Sequence, residues 1–412
     1  MAILFIHFMD TKSYNRNMRV AKGLSLRALA KLTGINYQHI RRFEIGEADL
    51  NEYQLKQLDK VLDLNNYNND VSYQQAIELF EKFYIEVVYD TVDLAYYKHR
   101  IPEVYITINE HLVYLVMKYI IYIQENYVEG CLKIENIISQ YEISNLFIYS
   151  AYMDYMGMRL FTCDQHEEAL KIYKSLLKSN CEKTELGIIK YHLGFIYKDL
   201  NYFNEAMEVL LSAKEIFMDT ANLKRLFGCM MLIASVELRK RNYKNAEYYY
   251  ISCINLGKTL DIDKNEIAKV YRNLSWLMIR KKVYDKAQKY LEEANEFGNT
   301  HILSRLYNIW INYKLENYSE ALRDITKSRY IKNEQRIVLV LDLFESLCYL
   351  ENKIPSNKII SQAIKVYDFH RKTNDIDLSL FYLDILINLL ERKKANDCLI
   401  IYLKEKIILL EN

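Results

Sequence analysis

Apolar side chains recur at intervals of three and four residues along most of the chain, a spacing that predicts helices rather than strands. The helical stretches are separated by short polar turns, and only 2 prolines and 10 glycines occur in 412 residues. Because proline breaks helices and glycine weakens them, their scarcity favours an all-α protein. A chain of this length is expected to form two or more domains or a repeat array.

The first set of apolar positions, within residues 10–64, predicts four short helices. Glycines and cap-forming side chains mark their ends. The expected boundaries are Gly23 at the end of the first helix, Ser25 and about Leu32 for the second, Asn36 and Glu44 for the third, and Glu52 and Asp63 for the fourth. Two helices joined by a short turn containing glycine form a helix-turn-helix, whose second helix docks in the major groove of DNA.

The charge of the chain is concentrated in this same region. Between Thr11 and Gly46 there are eight Lys and Arg residues but only one acidic residue, Glu44. The rest of the chain therefore carries 47 basic and 53 acidic residues. A compact positive segment attached to a mildly acidic body is typical of a phosphate-binding module.

The stretch MRVAKGLSLRALAKLTGINYQHIRRFEIG resembles the helix-turn-helix of the phage-repressor-like (XRE) family. The shared features include the Leu29-Ala30 pair, the turn at Gly34 and the E-x-G pattern at Glu44–Gly46, which ends the third helix. In this arrangement Ala30 would lie where the second and third helices cross. The alternative is a small helical bundle with an exposed basic face and no role in binding nucleic acid.

The resemblance implies that the third helix faces base edges, where glutamine suits adenine and arginine suits guanine. Groups at the starts of the second and third helices would contact phosphates. The resemblance also implies a structural ion pair between Arg19 and Glu44, and Tyr37 is larger than the polar residue common at its position. The predicted DNA-binding residues are Ser25, Arg27, Asn36, Tyr37, Gln38, Arg41 and Arg42.

Five alanines in the middle of the chain indicate a repeating pair of helices. They are separated by 37, 40, 41 and 34 residues, and a small residue lies twelve positions before four of them. Two helices pack closely only where side chains are short, and this pattern resembles helices A and B of tetratricopeptide repeats. The alanines are Ala169, Ala206, Ala246, Ala287 and Ala321, and the earlier positions are Gly157, Gly194, Ala234, Ser275 and Ile309.

The expected organisation is a helix-turn-helix domain at 10–64, a linker at 65–75 and a tetratricopeptide-like domain at 76–412, with the clearest repeats at about 145–330. Stacked hairpins would form a right-handed α-solenoid whose concave face is lined by the A helices. The final helices would cap the array or form a dimer surface.

A concave groove of this kind suits an extended peptide. Cationic and aromatic side chains could bind a carboxylate and apolar side chains, and asparagines could bind the peptide backbone. The alternative is that the aromatic residues pack between the repeats. The predicted peptide-binding residues are Tyr191, Lys198, Arg239, Arg272, Asn273, Trp276, Asn308, Trp310 and Asn312.

The sequence has no pattern typical of a catalytic or metal site. The seven cysteines include no CxxC pair, and the eight histidines form no HxxxH or His/Cys cluster. We therefore expect a protein that is not an enzyme, has no cofactor or metal, and keeps its thiols reduced in the cytoplasm. The opening MAILFIHFM lacks the basic segment and cleavage site of a signal peptide, and is interpreted as a start-site extension or packing arm.

The full architecture resembles the RRNPP group of peptide-pheromone receptors of low-GC Gram-positive bacteria. The resemblance implies a cytoplasmic homodimer that binds operator DNA and is switched by a short signalling peptide in quorum sensing. One alternative is a regulator whose repeat domain binds a protein partner instead of a peptide. A second is a dual-function protein that also acts on response-regulator phosphotransfer, through Gln74, Gln75 or Gln124.

Overall fold

The computed structural model describes residues 11–62, 71–102, 107–143, 145–179, 181–260, 262–298, 301–330, 334–350, 353–373 and 375–411. Within these ranges the chain forms 22 α-helices and no β-strand. The opening MAILFIHFM and residues 65–70 of the predicted linker lie outside the described residues. The described chain divides into two compact units, one within Met1–Leu193 and Glu215–Arg225 and the other within Gly194–Lys214 and Leu226–Asn412. None of the helices in the described ranges is both long and apolar enough to cross a membrane.

The four short helices predicted at the start of the chain are present, with ends at the expected caps. The Ser25 hydroxyl oxygen accepts a hydrogen bond from the Ala28 amide, and the Asn36 side-chain oxygen accepts one from the Gln38 amide. Gly34 has a φ of 72°, the left-handed conformation that the turn requires. The helices are α1 Thr11–Ala21, α2 Leu26–Thr33, α3 Tyr37–Glu44 and α4 Glu52–Leu62.

A small apolar core and one ion pair hold these helices together. Leu29, Ile40 and Leu58 are almost completely buried. The Arg19 Nε and Nη2 atoms each lie 2.7 Å from a carboxylate oxygen of Glu44, which confirms the expected pair. Ala30, which is expected where α2 and α3 cross, is partly buried, and its neighbour Leu29 is completely buried.

The first unit continues with a series of antiparallel helical hairpins. Residues 71–75, the last five of the predicted linker, belong instead to α5, whose buried face includes Tyr73, Ala76 and Ile77. Helices α11 and α12 contribute residues to both units. The helices are α5 Val71–Val88, α6 Leu94–Lys98, α7 Ile108–Gln124, α8 Val128–Ile138, α9 Leu146–Thr162, α10 His166–Leu176, α11 Lys183–Asp199 and α12 Phe203–Asp219.

The second unit consists of further helical hairpins that share one apolar core. Side chains from α13 to α21 contribute to that core, and α22 covers part of it. The helices are α13 Leu223–Arg239, α14 Tyr243–Thr259, α15 Lys264–Arg280, α16 Tyr284–Glu296, α17 Ile302–Lys314, α18 Tyr318–Arg329, α19 Gln335–Leu350, α20 Asn357–Lys372, α21 Ile376–Lys393 and α22 Asn396–Glu411.

The small residues of the repeat pattern lie where the two helices of a hairpin touch. A Cβ atom added to Gly157 would lie 2.6 Å from the Tyr173 ring, and one added to Gly194 would lie 2.5 Å from Leu210. The Ser275 hydroxyl donates a 2.8 Å hydrogen bond to the Ala287 carbonyl. The five turn alanines are fully buried, as the tetratricopeptide pattern predicts.

Each turn between an A helix and its B helix has the same backbone conformation. The second residue after the A helix adopts a positive φ, and the amide of the following residue donates to the carbonyl five residues before it, which closes the helix end. The positive-φ residues are Asp164, Asn201, Arg241, Lys282 and Glu316, and their φ values are 61°, 65°, 61°, 61° and 62°. These five side chains therefore occupy equivalent positions in successive hairpins.

Candidate functional sites

The first candidate site is the solvent-facing surface of α2 and α3. All seven predicted DNA-binding residues are exposed, while Ile40 and Phe43 on the opposite side of α3 are buried. This arrangement follows from helical periodicity, because residues three or four positions apart share a face. The cationic and amide side chains of α3 therefore lie together on an accessible surface, as the sequence predicts.

The side chains on this surface differ in the contacts that they make with neighbouring residues. The Arg27 guanidinium lies 5.9 Å from the Tyr37 ring centroid, and Gln38 Nε2 donates a 3.5 Å hydrogen bond to the Tyr37 hydroxyl. Arg42 Nε lies 3.7 Å from a Glu47 carboxylate oxygen. Among the described residues, Arg41 forms no ion pair. Tyr37 thus orients its neighbours, and Arg41 presents an uncompensated charge.

One contact that the sequence did not predict attaches α1 to the first hairpins. The buried Asn17 side chain donates to Asn109 Oδ1 at 3.1 Å and to the Glu142 carbonyl at 2.7 Å, and it accepts from the Glu142 amide at 3.0 Å. Arg16 also pairs with the Glu142 carboxylate at 2.8 Å. The sequence contains no signal for this contact, because its partners lie about a hundred residues away.

The second candidate site is formed by the A helices, where the predicted peptide-binding residues fall into separate groups. Tyr191 belongs to the first unit and packs against Phe217, with ring centroids 6.2 Å apart. In the second unit, Arg239 Nη1 donates to the Lys198 carbonyl at 3.1 Å. Lys198 Nζ pairs with Asp199 at 2.8 Å, and burial lowers the pKa of Lys198. Burial also lowers the pKa of Arg272, which lies beside Tyr307.

Asn308 and Asn312 do not share a face of α17 with Trp310. Asn308 Nδ2 donates a 2.7 Å hydrogen bond to Asp324 of α18. Asn308 and Asp324 both line a cavity of about 230 Å³ between α16, α17 and α18. Asn312 lies one helical turn further along and is buried. Because successive residues rotate by about 100°, Trp310 points to nearly the opposite side of α17. Asn273 is half-buried on α15.

The two tryptophans face inward and are covered by α21. The Phe381 ring centroid lies 5.0 Å from those of both Trp276 and Trp310. Trp276 Nε1 donates a 2.6 Å hydrogen bond to Asp377 Oδ2, and Arg280 Nε lies 3.1 Å from Asp377 Oδ1. Burial raises the pKa of Asp377, while the Arg280 charge opposes this change. Both indoles are therefore part of the core, which is the alternative that the sequence analysis considered.

Open space remains beside this core in two cavities of the second unit. One, of about 230 Å³, is bounded by the turn ends of three hairpins and by α19 and α21. The other, of about 420 Å³, is bounded by Arg239, the two turns next to it, α21 and the end of α22. The predicted residues Trp310 and Arg239 each line one of these cavities, so the accessible part of the candidate groove lies at the hairpin turns.

Comparison with known proteins gives a family match near the start of the chain and a fold match over most of its length. Residues 16–65 match the helix-turn-helix family model, and this match includes α2 and α3. This segment is a helix-turn-helix domain. A search of curated protein sequences gives no match.

Most of the chain is similar in fold to solved Rap and NprR structures. A Rap protein complexed with Competence and Sporulation Factor superimposes with a TM-score of 0.62 at 13% identity, over 83% of this chain and 97% of that one. The apo form of the quorum sensor NprR from B. thuringiensis superimposes with a TM-score of 0.61 at 16% identity, over 84% of this chain and 99% of that one. NprR in complex with its cognate peptide NprX superimposes with a TM-score of 0.54 at 12% identity, over 73% of this chain and 90% of that one.

These similarities confirm the predicted fold class. The chain is all-α, with a helix-turn-helix domain followed by the tetratricopeptide-like helical fold of the Rap and NprR proteins. The resemblance to the RRNPP group is confirmed at the level of fold. Among the described residues, no three His, Cys, Asp or Glu side chains lie where they could hold a metal ion.

Proposed function

We propose that this protein is a transcriptional regulator that binds operator DNA through α3 and is switched by a short signalling peptide bound in its repeat domain. The observation that carries the proposal is the combination of an exposed basic α3, within a helix-turn-helix domain, with the fold of NprR, one structure of which contains its cognate peptide. On this proposal the protein is a receptor for quorum sensing.

The DNA-binding half of the proposal rests on the α3 surface. Gln38 and Arg41 stand one turn apart on its exposed face, at the spacing needed to reach neighbouring base edges. Operators read by such helices are commonly two-fold symmetric, so we propose that the protein acts as a homodimer. A cytoplasmic location follows from the proposed access to DNA.

The peptide-binding half rests on the cavities at the hairpin turns of the second unit. They combine aromatic rings with cations, a composition that suits a peptide with apolar side chains and a free carboxylate. Peptide binding would act by population shift, because a ligand changes DNA affinity only as far as it prefers one conformation of the protein.

The decisive experiment is capture of fragmented genomic DNA by the purified full-length protein, with and without the short peptides encoded beside its gene. Peptide-dependent gain or loss at discrete, two-fold symmetric sites is the expected result. Discrete sites whose occupancy ignores every peptide would contradict the peptide half and favour a protein partner. Capture without any preferred sequence would contradict the DNA half.

We further propose that the protein has no enzymatic activity, and that Gln74, Gln75 and Gln124 have no role in phosphotransfer. The test is incubation with a response regulator phosphorylated on aspartate, with inactivated protein as the control. The expected rate of phosphate loss equals that of the control. A faster rate that is abolished by Gln124→Ala would contradict this proposal.

A further inference from the structure

The cavity of about 230 Å³ that Trp310 lines, at the turn ends of three hairpins, has a composition that suits the C-terminal end of the proposed peptide. Its wall includes Arg280 and three further cations, Arg241, Lys282 and Lys314, which come from three consecutive hairpins. None of these three was predicted from the sequence as a binding residue. Five aromatic rings also line the cavity, among them Trp310 and Tyr313 of α17 and Phe381 of α21.

The backbone of the hairpin turns places two of these cations in register. Arg241 and Lys282 each follow an A helix with a φ of 61°, and so they occupy the same position in adjacent hairpins. Lys314 is the last residue of α17, in the next hairpin. Its Nζ lies 4.7 Å from the Trp310 ring centroid and 5.1 Å from that of Tyr313. The rings therefore hold the ammonium at the mouth of the cavity.

These charges are not neutralised by the described part of the protein. Arg241, Lys282 and Lys314 form no ion pair with any described carboxylate, whereas Arg280 of the same wall is paired with Asp377. The wall also contains Asp384, but its carboxylate already pairs with Lys406 at 2.7 Å. Like charges gathered without a counter-ion raise the free energy of the empty site, and an anion would lower it.

The adjoining rings distinguish a carboxylate on a carbon chain from an inorganic anion. A terminal residue offers a carboxylate for the cations and an apolar side chain for Trp310 and Tyr313. A volume of about 230 Å³ accommodates one residue rather than a whole peptide. We propose that this cavity binds the C-terminal residue of the signalling peptide, with its free carboxylate held by Arg241, Lys282 and Lys314. This inference rests on the proposed function.

The test begins with affinity selection from a synthetic mixture of random heptapeptides with free C-termini, using the full-length protein. The retained peptides are identified by mass spectrometry and resynthesised as acid and as C-terminal amide. Their Kd values are then measured by calorimetry. We expect amidation to weaken binding by about tenfold or more, because it removes a charge-assisted contact. Replacing internal Asp or Glu of the peptide by Asn or Gln should leave Kd nearly unchanged.

Two double variants assign the effect to the cavity. Lys282→Gln/Lys314→Gln, which keeps only Arg241 of the three proposed carboxylate ligands, should lose most of the preference for the acid over the amide. Lys286→Gln/Lys289→Gln changes two exposed lysines of α16 that lie outside the cavity, alters the net charge equally, and should behave like the wild type.

The possible failures are distinguishable. Equal affinity for acid and amide in the wild type, or a preference for the acid that is undiminished in Lys282→Gln/Lys314→Gln, would overturn this inference alone. A dependence on an internal acidic residue would assign the cations to a side chain instead and would also overturn it. Retention of no peptide would overturn the peptide half of the proposed function together with this inference.

Discussion

At the scale of single residues, the exposed side chains of α3 allow the most direct test of the proposed function. Gln38 and Arg41 are exposed and take no part in the core, so replacing them should alter recognition without unfolding the domain. Their neighbour Tyr37 is tied to both Arg27 and Gln38, which explains how a large side chain is accommodated at the start of this helix. Specificity is therefore expected to depend mainly on Gln38 and Arg41.

Changing Gln38 or Arg41 to Ala should weaken binding to the captured operator by about 1–3 kcal/mol each, since each change removes contacts to a base edge. Titration of labelled operator and of random DNA at one fixed salt concentration measures the effect. The charge-matched control is Lys60→Ala, on the exposed side of α4. Equal losses on operator and random DNA would show that these side chains contact only phosphates.

A second residue-scale prediction concerns pH. Burial raises the pKa of Glu185 from an ordinary 4.5 to about 7, and Asp154 adds to the rise, while a hydrogen bond with Ser150 opposes it. Because the folded state holds the proton more tightly, Glu185 contributes stability that is complete below about pH 4.5 and is lost as the pH rises through 7.

The Glu185→Gln variant should therefore melt at the same temperature as the wild type near pH 5 and at a higher temperature at pH 8. At pH 8 the free energy of unfolding of Glu185→Gln should exceed that of the wild type by up to about 3 kcal/mol, the free-energy equivalent of the pKa change. Thermal unfolding followed by circular dichroism at both pH values provides the measurement. Glu168→Gln, at an exposed site on α10, should show no pH-dependent difference. The same change in melting temperature at both pH values would count against the raised pKa.

At the scale of helices, the repeat hairpins depend on short side chains at the A–B contact. Gly157 faces the ring of Tyr173, whose hydroxyl donates a 2.9 Å hydrogen bond to the Asp154 carbonyl. That bond fixes the ring, so the ring cannot easily move away from a larger neighbour. The close packing of α9 against α10 thus follows from a residue type that the sequence displays directly.

Gly157→Ala should destabilise this hairpin by about 1–3 kcal/mol, because the added Cβ overpacks the contact by more than the gain in helix propensity. Hydrogen exchange of the α9 and α10 amides provides the measurement. Adding Tyr173→Leu should restore part of the protection by making room for the methyl group. Lys171→Ala, at an exposed site on α10, is the control. Unchanged protection in Gly157→Ala would mean that the helices separate without cost.

At the scale of the whole molecule, the most informative contacts join segments that are distant in sequence. Asn17 connects α1 to Asn109 and Glu142, and Asp377 connects α21 to Trp276 and Arg280. The first contact fixes the start of the helix-turn-helix domain against the hairpins of its own unit. The second contact packs α21 against the inner side of α15 in the second unit.

Asn17→Ala should release α1, since the change leaves the buried Asn109 side chain and the Glu142 backbone without their partners, at a cost of about 1–3 kcal/mol. We expect faster hydrogen exchange in α1 and a smaller effect of the identified peptide on operator affinity. Asn136→Ala, at an exposed site on α8, should match the wild type. Normal exchange in α1 of the Asn17 variant would show that the contact does not hold the domain.

The sequence by itself determined the features that depend on neighbouring residues. Glycine and cap positions set the ends of α1 to α4, helical periodicity set the exposed face of α3, and the spacing of small residues set the hairpins. These features are readable because their physical causes act within a helix or between two consecutive helices. The Arg19–Glu44 pair, which joins α1 to α3, was instead implied by the resemblance to the phage-repressor-like family.

Only the tertiary structure decided which A-helix residues are accessible. Trp276 and Trp310 have the composition of a binding groove, yet α21, about 100 residues further along, covers them with Asp377 and Phe381. Asn308 turns toward Asp324 because its position on the helix differs from that of Trp310. The cations at the turns meet only when consecutive hairpins stack. Contacts of this kind depend on how distant helices pack together, and no short stretch of sequence contains that information.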